Sequence, residues 1–341
     1  MSVAVDAPLA PLTTLRLGGP AARLQTVATE DDLVDAVRAA DAAGEPLLLL
    51  AGGSNLVIPD AGWPGVVVHV QTRGIARWGD VLEVQAGESW DELVAMTVAE
   101  GLAGFECLSG IPGSVGATPI QNVGAYGQEV AETVRSVRVL DRRTGAVEDL
   151  APAQCGFAYR SSAFKRSDRW VVLAVTFALH PGAASQPLRY AELARALDIE
   201  PGAAAPLADV RDAVLALRRG KGMVVDPADP DSVSAGSFFT NPILDADAFA
   251  ALRDRAGDAP PPAFPEPEGR VKTSAAWLIE RAGFAKGDTR GKVAISSKHA
   301  LALVNRGGAS TAELLAFAQE IRDGVQARFG VELVAEPTIV G

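Results

Sequence analysis

Polar and hydrophobic positions follow helix and strand spacings through the first fifty residues. Residues 29 to 44 are predicted to form a helix, because their apolar positions recur at helical spacing and Gly44 can end the helix. The continuous apolar run from 47 to 50 is typical of a strand covered on both faces. That strand leads directly into Gly52-Gly53-Ser54-Asn55, so the first distinct feature is a strand followed by a glycine loop.

A second helix and a long glycine-rich stretch follow. Ser89 and Glu92 have capping-box spacing and predict a helix from 90 to 100. Residues 104 to 127 contain too many glycines and prolines for regular structure, and so long a loop usually has a function. After this loop the alternation of apolar residues predicts a set of antiparallel strands at 134 to 140, 146 to 150 and 170 to 179.

Helical spacing dominates the second half of the chain. Helices are predicted at 190 to 198, 207 to 219, 245 to 256 and 274 to 282. The clearest helix is the last one, where Ser310 and Glu313 form a capping box. Its apolar stripe consists of Leu314, Phe317, Ile321, Val325 and Phe329. Pro181 and Gly182 precede this half, and we expect a domain boundary there.

The length of the chain and its net charge limit the number of domains and the classes of function that we expect. The chain has 341 residues, for which about two or three domains are expected. Its formal net charge of -11 would repel a phosphate backbone, so we expect no nucleic-acid partner. The densest cationic run, Arg218, Arg219 and Lys221, is only large enough to meet one or two phosphates of a small ligand.

The apolar runs and the cysteines suit a soluble cytoplasmic protein. The run from 170 to 179 is far shorter than the roughly 20 residues that span a bilayer, and the N-terminus lacks a signal-peptide pattern. Cys107 and Cys155 have no Cys-x-x-Cys spacing, which predicts buried free thiols in a reducing compartment. We therefore expect no membrane insertion, and we expect a monomer.

Several common active sites are excluded by their missing motifs. The chain has neither the Gly-x-Gly-x-x-Gly dinucleotide fingerprint nor the P-loop pattern, and it lacks the Gly-x-Ser-x-Gly elbow of many hydrolases. His69, His180 and His299 lie far apart, so no metal site is expected and each is interpreted as an isolated structural or surface histidine.

Two glycine loops are the best candidates for ligand binding. Glycine turns expose backbone amides that converge on phosphate oxygens. The first loop is Gly52-Gly53-Ser54-Asn55, and the second contains Gly110, Gly113 and Gly116 followed by hydroxyl and amide side chains. Each loop alone could be a simple tight turn, but two in one half of a chain favour a bound nucleotide.

Four motifs together resemble the UDP-N-acetylenolpyruvoylglucosamine reductases, the MurB flavoproteins of peptidoglycan precursor synthesis. Their order and spacing match the family along nearly the whole chain. They are AGGSNLVIPD at 51 to 60, LSGIPGSVGATPIQNVGAYGQEV at 108 to 130, AYRSSAFK at 158 to 165 and AGSFFTNP at 235 to 242.

The resemblance implies an α+β protein with a two-lobed FAD-binding fold of the vanillyl-alcohol-oxidase/MurB type and a separate α+β substrate-binding domain. The implied FAD-binding domain is 1 to 182, with subdomains 1 to 65 and 66 to 182. The substrate domain would be 183 to 330, and residues 331 to 341 would return to the active site.

Non-covalent FAD and NADPH as the hydride donor are also implied. By resemblance, the FAD contacts come from the two glycine loops. The implied residues are Gly52, Gly53, Ser54, Asn55, Leu56, Gly113, Ser114, Val115, Gly116, Thr118, Pro119, Gln121, Asn122, Gly124, Ala125, Tyr126 and Gly127.

The implied catalytic residues are Arg160, Ser237 and Glu336. The implied reaction adds hydride to an enolpyruvyl double bond and places negative charge on the neighbouring carbon and its carboxylate. A fixed guanidinium such as that of Arg160 would stabilise this charge, Ser237 would deliver a proton, and Glu336 would orient or polarise the carboxylate. Without the resemblance, an ion pair, a helix cap and a solvated carboxylate are the plainer interpretations.

The implied contacts to the nucleotide-sugar substrate are Tyr190, Lys221, Asn241 and Lys272. Two other functions compete with this interpretation. An oxidase of the same fold often holds its flavin through a histidine in the first glycine loop, but residues 51 to 60 contain none. A nucleotide-sugar binding protein without turnover would have no need of a proton donor such as Ser237.

Overall fold

The chain divides into two compact units in a computed structural model that describes residues 2–341. The first unit contains the residues up to Pro8 together with Pro20–Gly53 and Gly62–Gly220. The second contains Leu9–Gly19, Ser54–Ala61 and Lys221–Gly341. The predicted boundary at 182 does not coincide with this division.

Most strands are short. Within residues 2–341 they are β1 (Ser2–Pro8), β2 (Pro20–Val27), β3 (Leu47–Leu50), β4 (Leu56–Val57), β5 (Trp63–Val70), β6 (Ile75–Trp78), β7 (Val81–Gln85), β8 (Leu102–Ala103), β9 (Gly124–Ala125), β10 (Gln128–Glu129), β11 (Val134–Asp141), β12 (Val147–Leu150), β13 (Trp170–Ala178), β14 (His180–Pro181), β15 (Ser234–Ser237), β16 (Ile243–Leu244), β17 (Phe264–Pro265), β18 (Val271–Lys272), β19 (Thr289–Arg290), β20 (Val293–Ile295), β21 (Ala302–Asn305) and β22 (Thr338–Ile339).

The α-helices agree with the sequence pattern at nearly every predicted position. They are α1 (Glu30–Ala43), α2 (Trp90–Ala99), α3 (Pro152–Cys155), α4 (Ala191–Ala196), α5 (Leu207–Gly220), α6 (Ala246–Ala256), α7 (Ala275–Arg281) and α8 (Thr311–Phe329). Each helix of residues 2–341 is too short or too polar to cross a bilayer.

Two main sheets form the first unit. One has the order β1-β2-β5-β3, with β2 and β3 both parallel to β5. The other has the order β12-β11-β13-β7-β6 and is antiparallel throughout, which confirms the predicted antiparallel set. Helix α1 packs its apolar face, including Leu33 and Val37, against Val66 and Val68 of β5.

Helices α4 and α5 belong to the first unit because their apolar residues share a core with the glycine-rich loop. Leu193 of α4 and Val210 and Val214 of α5 pack with Cys107, which lies near the start of that loop. This packing explains why the compact unit extends to Gly220 and does not end at the predicted residue 182. Cys107 and Cys155 are buried free thiols, as predicted, and burial raises the pKa of Cys155 to about 11.

The second unit is built around α8. Its predicted stripe is fully buried and packs against β20, β21 and α7. Leu15, Leu17 and Val57 belong to the same core although they lie far away in sequence. The sheet order β15-β21-β20-β19 supports this core, and β22 pairs with β4 in parallel.

The predicted capping box of α2 is wrong. Ser89 is the residue before the helix, but its side chain makes no capping hydrogen bond. Its backbone instead forms a bridge with Ser114, and the N–H of Trp90 donates to the carbonyl of Gly113 at 3.1 Å. The start of α2 is therefore fixed by the second glycine loop.

Candidate active site

The two glycine loops approach each other closely in the first unit. A Cβ atom added at Gly52 would lie 2.6 Å from the Cα of Gly113 and 3.0 Å from its carbonyl carbon. Real Cβ contacts are not this short, so only glycine is tolerated at Gly52. The approach creates a surface of bare backbone, which is the kind of surface that binds phosphate groups.

Ser114 follows this approach and carries a buried hydroxyl. The residue is 5% exposed, and its Oγ has no hydrogen-bond partner among residues 2–341. A buried polar atom without a partner is costly, and such atoms often mark the position of a ligand. The hydroxyl suits a polar group of FAD, and the residues present here fit that cofactor.

Two other polar side chains of the second loop form hydrogen bonds within the protein. The Thr118 hydroxyl donates to the carbonyl of Val115 at 2.8 Å. Asn122 is 1% exposed, and its Nδ2 donates to Glu129 at 2.7 Å. Its Oδ1 accepts the N–H of Ala131 at 3.1 Å. Thr118 and Asn122 thus hold the loop in shape, a role that the sequence did not suggest, and their FAD contacts stay predictions.

Arg160 has an unusual backbone conformation. Its φ of 51° lies in the left-handed region, which is uncommon outside glycine and often marks a functional site. Its Nη2 donates to the carbonyl of Gly124, in the second glycine loop, at 2.7 Å. The guanidinium carbon lies 5.2 Å from the centre of the Tyr159 ring. These contacts connect the predicted catalytic arginine to the predicted cofactor loop.

Tyr190 also lies in the first unit and not in the second, where its predicted domain would have placed it. Its ring meets that of Tyr126 edge to face, with centroids 5.4 Å apart. Burial raises the pKa of Tyr126 to about 12 and lowers the pKa of Arg218 to about 10. Arg218 is only 7% exposed, so within the cationic run at the end of α5 it is Arg219 whose side chain is open to solvent.

Ser237 and Glu336 are brought together in the second unit. The N–H of Glu336 donates to the carbonyl of Phe238, next to Ser237, at 2.9 Å. On its other side, the same C-terminal segment contacts the first glycine loop, where the N–H of Thr338 donates to the carbonyl of Asn55 at 2.9 Å. Two predicted catalytic residues and a predicted cofactor residue therefore adjoin one segment.

His299 was missed by the sequence analysis. Its Nε2 lies 3.3 Å from the Oγ of Ser237, so the expectation that it is an isolated histidine is wrong. The two residues are 62 positions apart, and the motif around Ser237 contains no signal for a histidine partner. The pairing of β15 with β21 brings them together.

The other predicted substrate contacts have partners inside the protein. The Oδ1 of Asn241 accepts the N–H of Ala275, the first residue of α7, at 3.0 Å. Lys272 forms an ion pair with Glu266. Lys221 is half-buried at the start of the last segment of the second unit. Their roles in substrate binding stay predictions.

Two models of known protein families match this chain. The family model described as "FAD binding domain" matches residues 21–151. The model described as "UDP-N-acetylenolpyruvoylglucosamine reductase, C-terminal domain" matches residues 227–340. Together they define an FAD-containing oxidoreductase, and the predicted α+β FAD-binding fold is confirmed.

Relatives that match this chain over nearly its whole length identify its family. The chain is 57% identical to the UDP-N-acetylenolpyruvoylglucosamine reductase of Thermobifida fusca, over 100% of this chain and 98% of that protein. It is 59% identical to the reductase of Salinispora arenicola, over 96% and 93% of the two chains. The crystal structure of the reductase from Thermus caldophilus matches with a TM-score of 0.67 at 26% identity, covering 100% of this chain and 98% of that one. The chain belongs to the UDP-N-acetylenolpyruvoylglucosamine reductase family.

Proposed function

We propose that the protein reduces UDP-N-acetylglucosamine enolpyruvate to UDP-N-acetylmuramate, with NADPH as the electron donor. One observation carries the proposal beyond family membership: the C-terminal segment joins Asn55 of the first glycine loop to Phe238, the neighbour of Ser237, through backbone hydrogen bonds. A cofactor loop and a proton donor held by one segment suit a reaction in which hydride and proton add to the same double bond.

The cofactor contacts are proposed to come from Gly52, Gly53 and the loop from Gly113 to Gly127. Bound FAD would supply the capacity to accept hydride from NADPH and pass it to the substrate. The protein would contribute backbone amides for the pyrophosphate and the Ser114 hydroxyl as a polar contact. The close approach of Gly52 to Gly113 supports this assignment, as does the buried Oγ of Ser114, which has no hydrogen-bond partner within residues 2–341.

Arg160 would provide electrostatic stabilisation, and Ser237 would act as the general acid. The Arg160 guanidinium is proposed to stabilise the negative charge that develops on the substrate carboxylate. Ser237 would donate its hydroxyl proton to the substrate carbon next to the carboxylate. Hydride addition makes this carbon basic enough to take a proton from a weak acid. Glu336 would orient the carboxylate, for which its side chain must be protonated or hydrogen-bonded.

Tyr190, Lys221, Asn241 and Lys272 are proposed to contact the diphosphate and sugar. The exposed ring of Tyr190 supports its inclusion, since 44% of the residue is accessible. For Lys272 the ion pair with Glu266 would have to open or be shared with the substrate. We also propose a monomer that works in the cytoplasm, where the free thiols of Cys107 and Cys155 would persist.

Product analysis tests the proposed function. The purified protein is incubated with FAD, NADPH and UDP-N-acetylglucosamine enolpyruvate, and the nucleotide sugar is followed by mass spectrometry. We expect a product heavier than the substrate by two hydrogens, formed in equal amount to the NADPH consumed. NADPH consumption that depends on oxygen and leaves the nucleotide sugar unchanged would instead support an oxidase.

A further inference from the structure

His299 and Ser237 form a contact that the family assignment does not explain. The Nε2 of His299 lies 3.3 Å from the Oγ of Ser237, and both residues are half-buried. We propose that His299 is a positioning residue, whose Nε2–H donates to the Ser237 oxygen and directs the hydroxyl hydrogen toward the substrate carbon. This inference rests on the proposed function, because Ser237 needs a fixed hydroxyl only if it donates a proton.

The backbone around His299 is held firmly. The buried Ser296 hydroxyl oxygen accepts the N–H of Lys298 at 3.0 Å and the N–H of His299 at 3.2 Å. The carbonyl of His299 accepts the N–H of Ala302 at 3.1 Å. The turn that carries the imidazole is therefore closed on both sides of His299, which limits where the ring can point.

Asp231 ties this turn to the strand that carries Ser237. It lies three residues before β15 and is 4% exposed. Its carboxylate accepts the N–H of Ser297 at 3.0 Å, the Ser297 hydroxyl at 2.6 Å and a guanidinium N–H of Arg306 at 3.0 Å. Burial would raise the pKa of Asp231, but the hydrogen bonds from Ser297 lower it below its ordinary value. The carboxylate thus fixes the distance between the two segments.

The strand itself is irregular at Ser237. The pairing of β15 with β21 shifts register between Ser234 and Ser237, and Ser237 lies opposite Ala302. Gly236 has a φ of 71°, which a side chain would strain. Irregularities of this kind re-aim a side chain at an active site. Here the shift brings the Ser237 hydroxyl to the imidazole of His299.

The hydrogen bond suits the chemistry of proton donation. As the O–H bond of Ser237 breaks and a C–H bond forms on the substrate, negative charge develops on Oγ. An N–H from His299 stabilises that charge. With the proton on Nε2, the imidazole also has no lone pair at that nitrogen that could accept the hydroxyl hydrogen. Ser237 regains its proton from water after the product has formed, so the proton count balances without a further reactant.

Two substitutions of His299 test the role by steady-state kinetics. His299→Ala removes the donor, and we expect kcat for the nucleotide sugar to fall about 100-fold while KM is unchanged. His299→Gln keeps an N–H that can reach Oγ, so its kcat should stay within about tenfold of the original protein. Reduction of the flavin by NADPH should be unchanged in both variants. The exposed His180 provides the matched control, and His180→Ala should behave as the unsubstituted protein.

A spectroscopic signature tests the contact independently of turnover. The chain has three histidines, so ¹⁵N-labelled histidine gives three pairs of ring-nitrogen resonances. Ser237→Ala should shift the Nε2 resonance of His299 and leave those of His69 and His180 in place. The His299 resonance is assigned by its loss in His299→Gln.

The possible results separate this inference from the proposed function. If the unsubstituted protein does not reduce the nucleotide sugar, the proposed function fails and the inference fails with it. If that protein is active, any of four results overturns the inference alone. The first two are a normal kcat in His299→Ala and an increase in the KM of that variant without a loss of kcat. The third is a kcat of His299→Gln as low as that of His299→Ala. The fourth is a His299 Nε2 resonance that does not shift in Ser237→Ala.

Discussion

Gly52 lies where the backbone leaves no room for a side chain. Its Cα faces the Cα of Gly113, and no side chain fits between the two backbones. Both glycines are predicted from the sequence as parts of separate loops. Their contact could not be predicted, because spacing along the chain carries no information about contacts between positions 61 residues apart.

Gly52→Ala should damage both folding and cofactor binding. The added Cβ would force the loops apart, and overpacking of this kind costs about 1–3 kcal/mol. We expect a lower urea midpoint and an FAD Kd that is raised at least about tenfold, since each 1.4 kcal/mol corresponds to a factor of ten. Gly220→Ala is the matched control, because its added Cβ meets nothing within 4 Å. An unchanged FAD Kd in Gly52→Ala would contradict the loop assignment.

Ser237→Ala should separate the two halves of the reaction. Without the hydroxyl, proton delivery to the substrate is lost, and general acid catalysis is typically worth about 10²–10⁴-fold. Stopped-flow absorbance should show normal reduction of the flavin by NADPH and slow reoxidation by the nucleotide sugar. The NADPH step serves as the internal control, and equal loss of both steps would contradict the assignment of Ser237 as the proton donor.

The proposed site residues differ in whether the sequence or only the structure could identify them. Arg160, Ser237 and Glu336 came from motifs, and the structure adds that Glu336 lies beside the strand of Ser237. His299 came only from the structure. Its partner lies across a sheet, and an irregular register decides the contact.

Helix caps show how far local sequence determines the elements. Ser310 and Glu313 form the predicted reciprocal capping box at the start of α8. Ser89 and Glu92 have the same spacing, yet Ser89 makes no side-chain cap because its backbone pairs with Ser114. Identical local patterns therefore gave different structures once a distant loop competed for the same backbone.

The two serines give a matched pair of substitutions. Ser310→Ala should lower the free energy of unfolding by about 1 kcal/mol, because it removes a hydrogen bond to the Glu313 N–H. Ser89→Ala removes no capping bond and should change stability by less than about 0.5 kcal/mol. Urea unfolding of both variants at saturating FAD measures the difference, and equal losses would show that the caps do not differ.

Long, periodic elements were predicted well. Helices α1 and α8 have clear apolar faces and strong end signals, and both lie where the pattern placed them. The glycine-rich stretch was predicted only as a loop. Its short 3-10 turns depend on tertiary hydrogen bonds, such as that from the Gly116 N–H to the carbonyl of Ala86 at 2.9 Å.

The division of the whole chain into units was not visible in the sequence. The second unit draws on Leu9–Gly19 and Ser54–Ala61, which lie far before its main segment. Composition and turn signals detect boundaries along a chain, but they do not detect a core assembled from separated segments. The predicted substrate domain, 183 to 330, is continuous, whereas the observed second unit is not.

A substitution near the N-terminus should therefore destabilise the C-terminal unit. Leu15 is 1% exposed and packs in the core that contains α8. Leu15→Ala should cost about 2–5 kcal/mol, as large-to-small core substitutions do. We expect faster hydrogen exchange of the α8 amides, whereas Val5→Ala, at a residue that is 72% exposed, should leave it unchanged. Normal protection of α8 in Leu15→Ala would contradict the discontinuous unit.

One anaerobic absorbance experiment tests the FAD cofactor, the NADPH donor and the nucleotide-sugar acceptor together. The visible spectrum of the purified protein is recorded alone, after NADPH, and after UDP-N-acetylglucosamine enolpyruvate. We predict a flavin band that NADPH bleaches and the nucleotide sugar restores. A protein that remains colourless after added FAD, or a bleached flavin that recovers only when oxygen is admitted, would contradict the account.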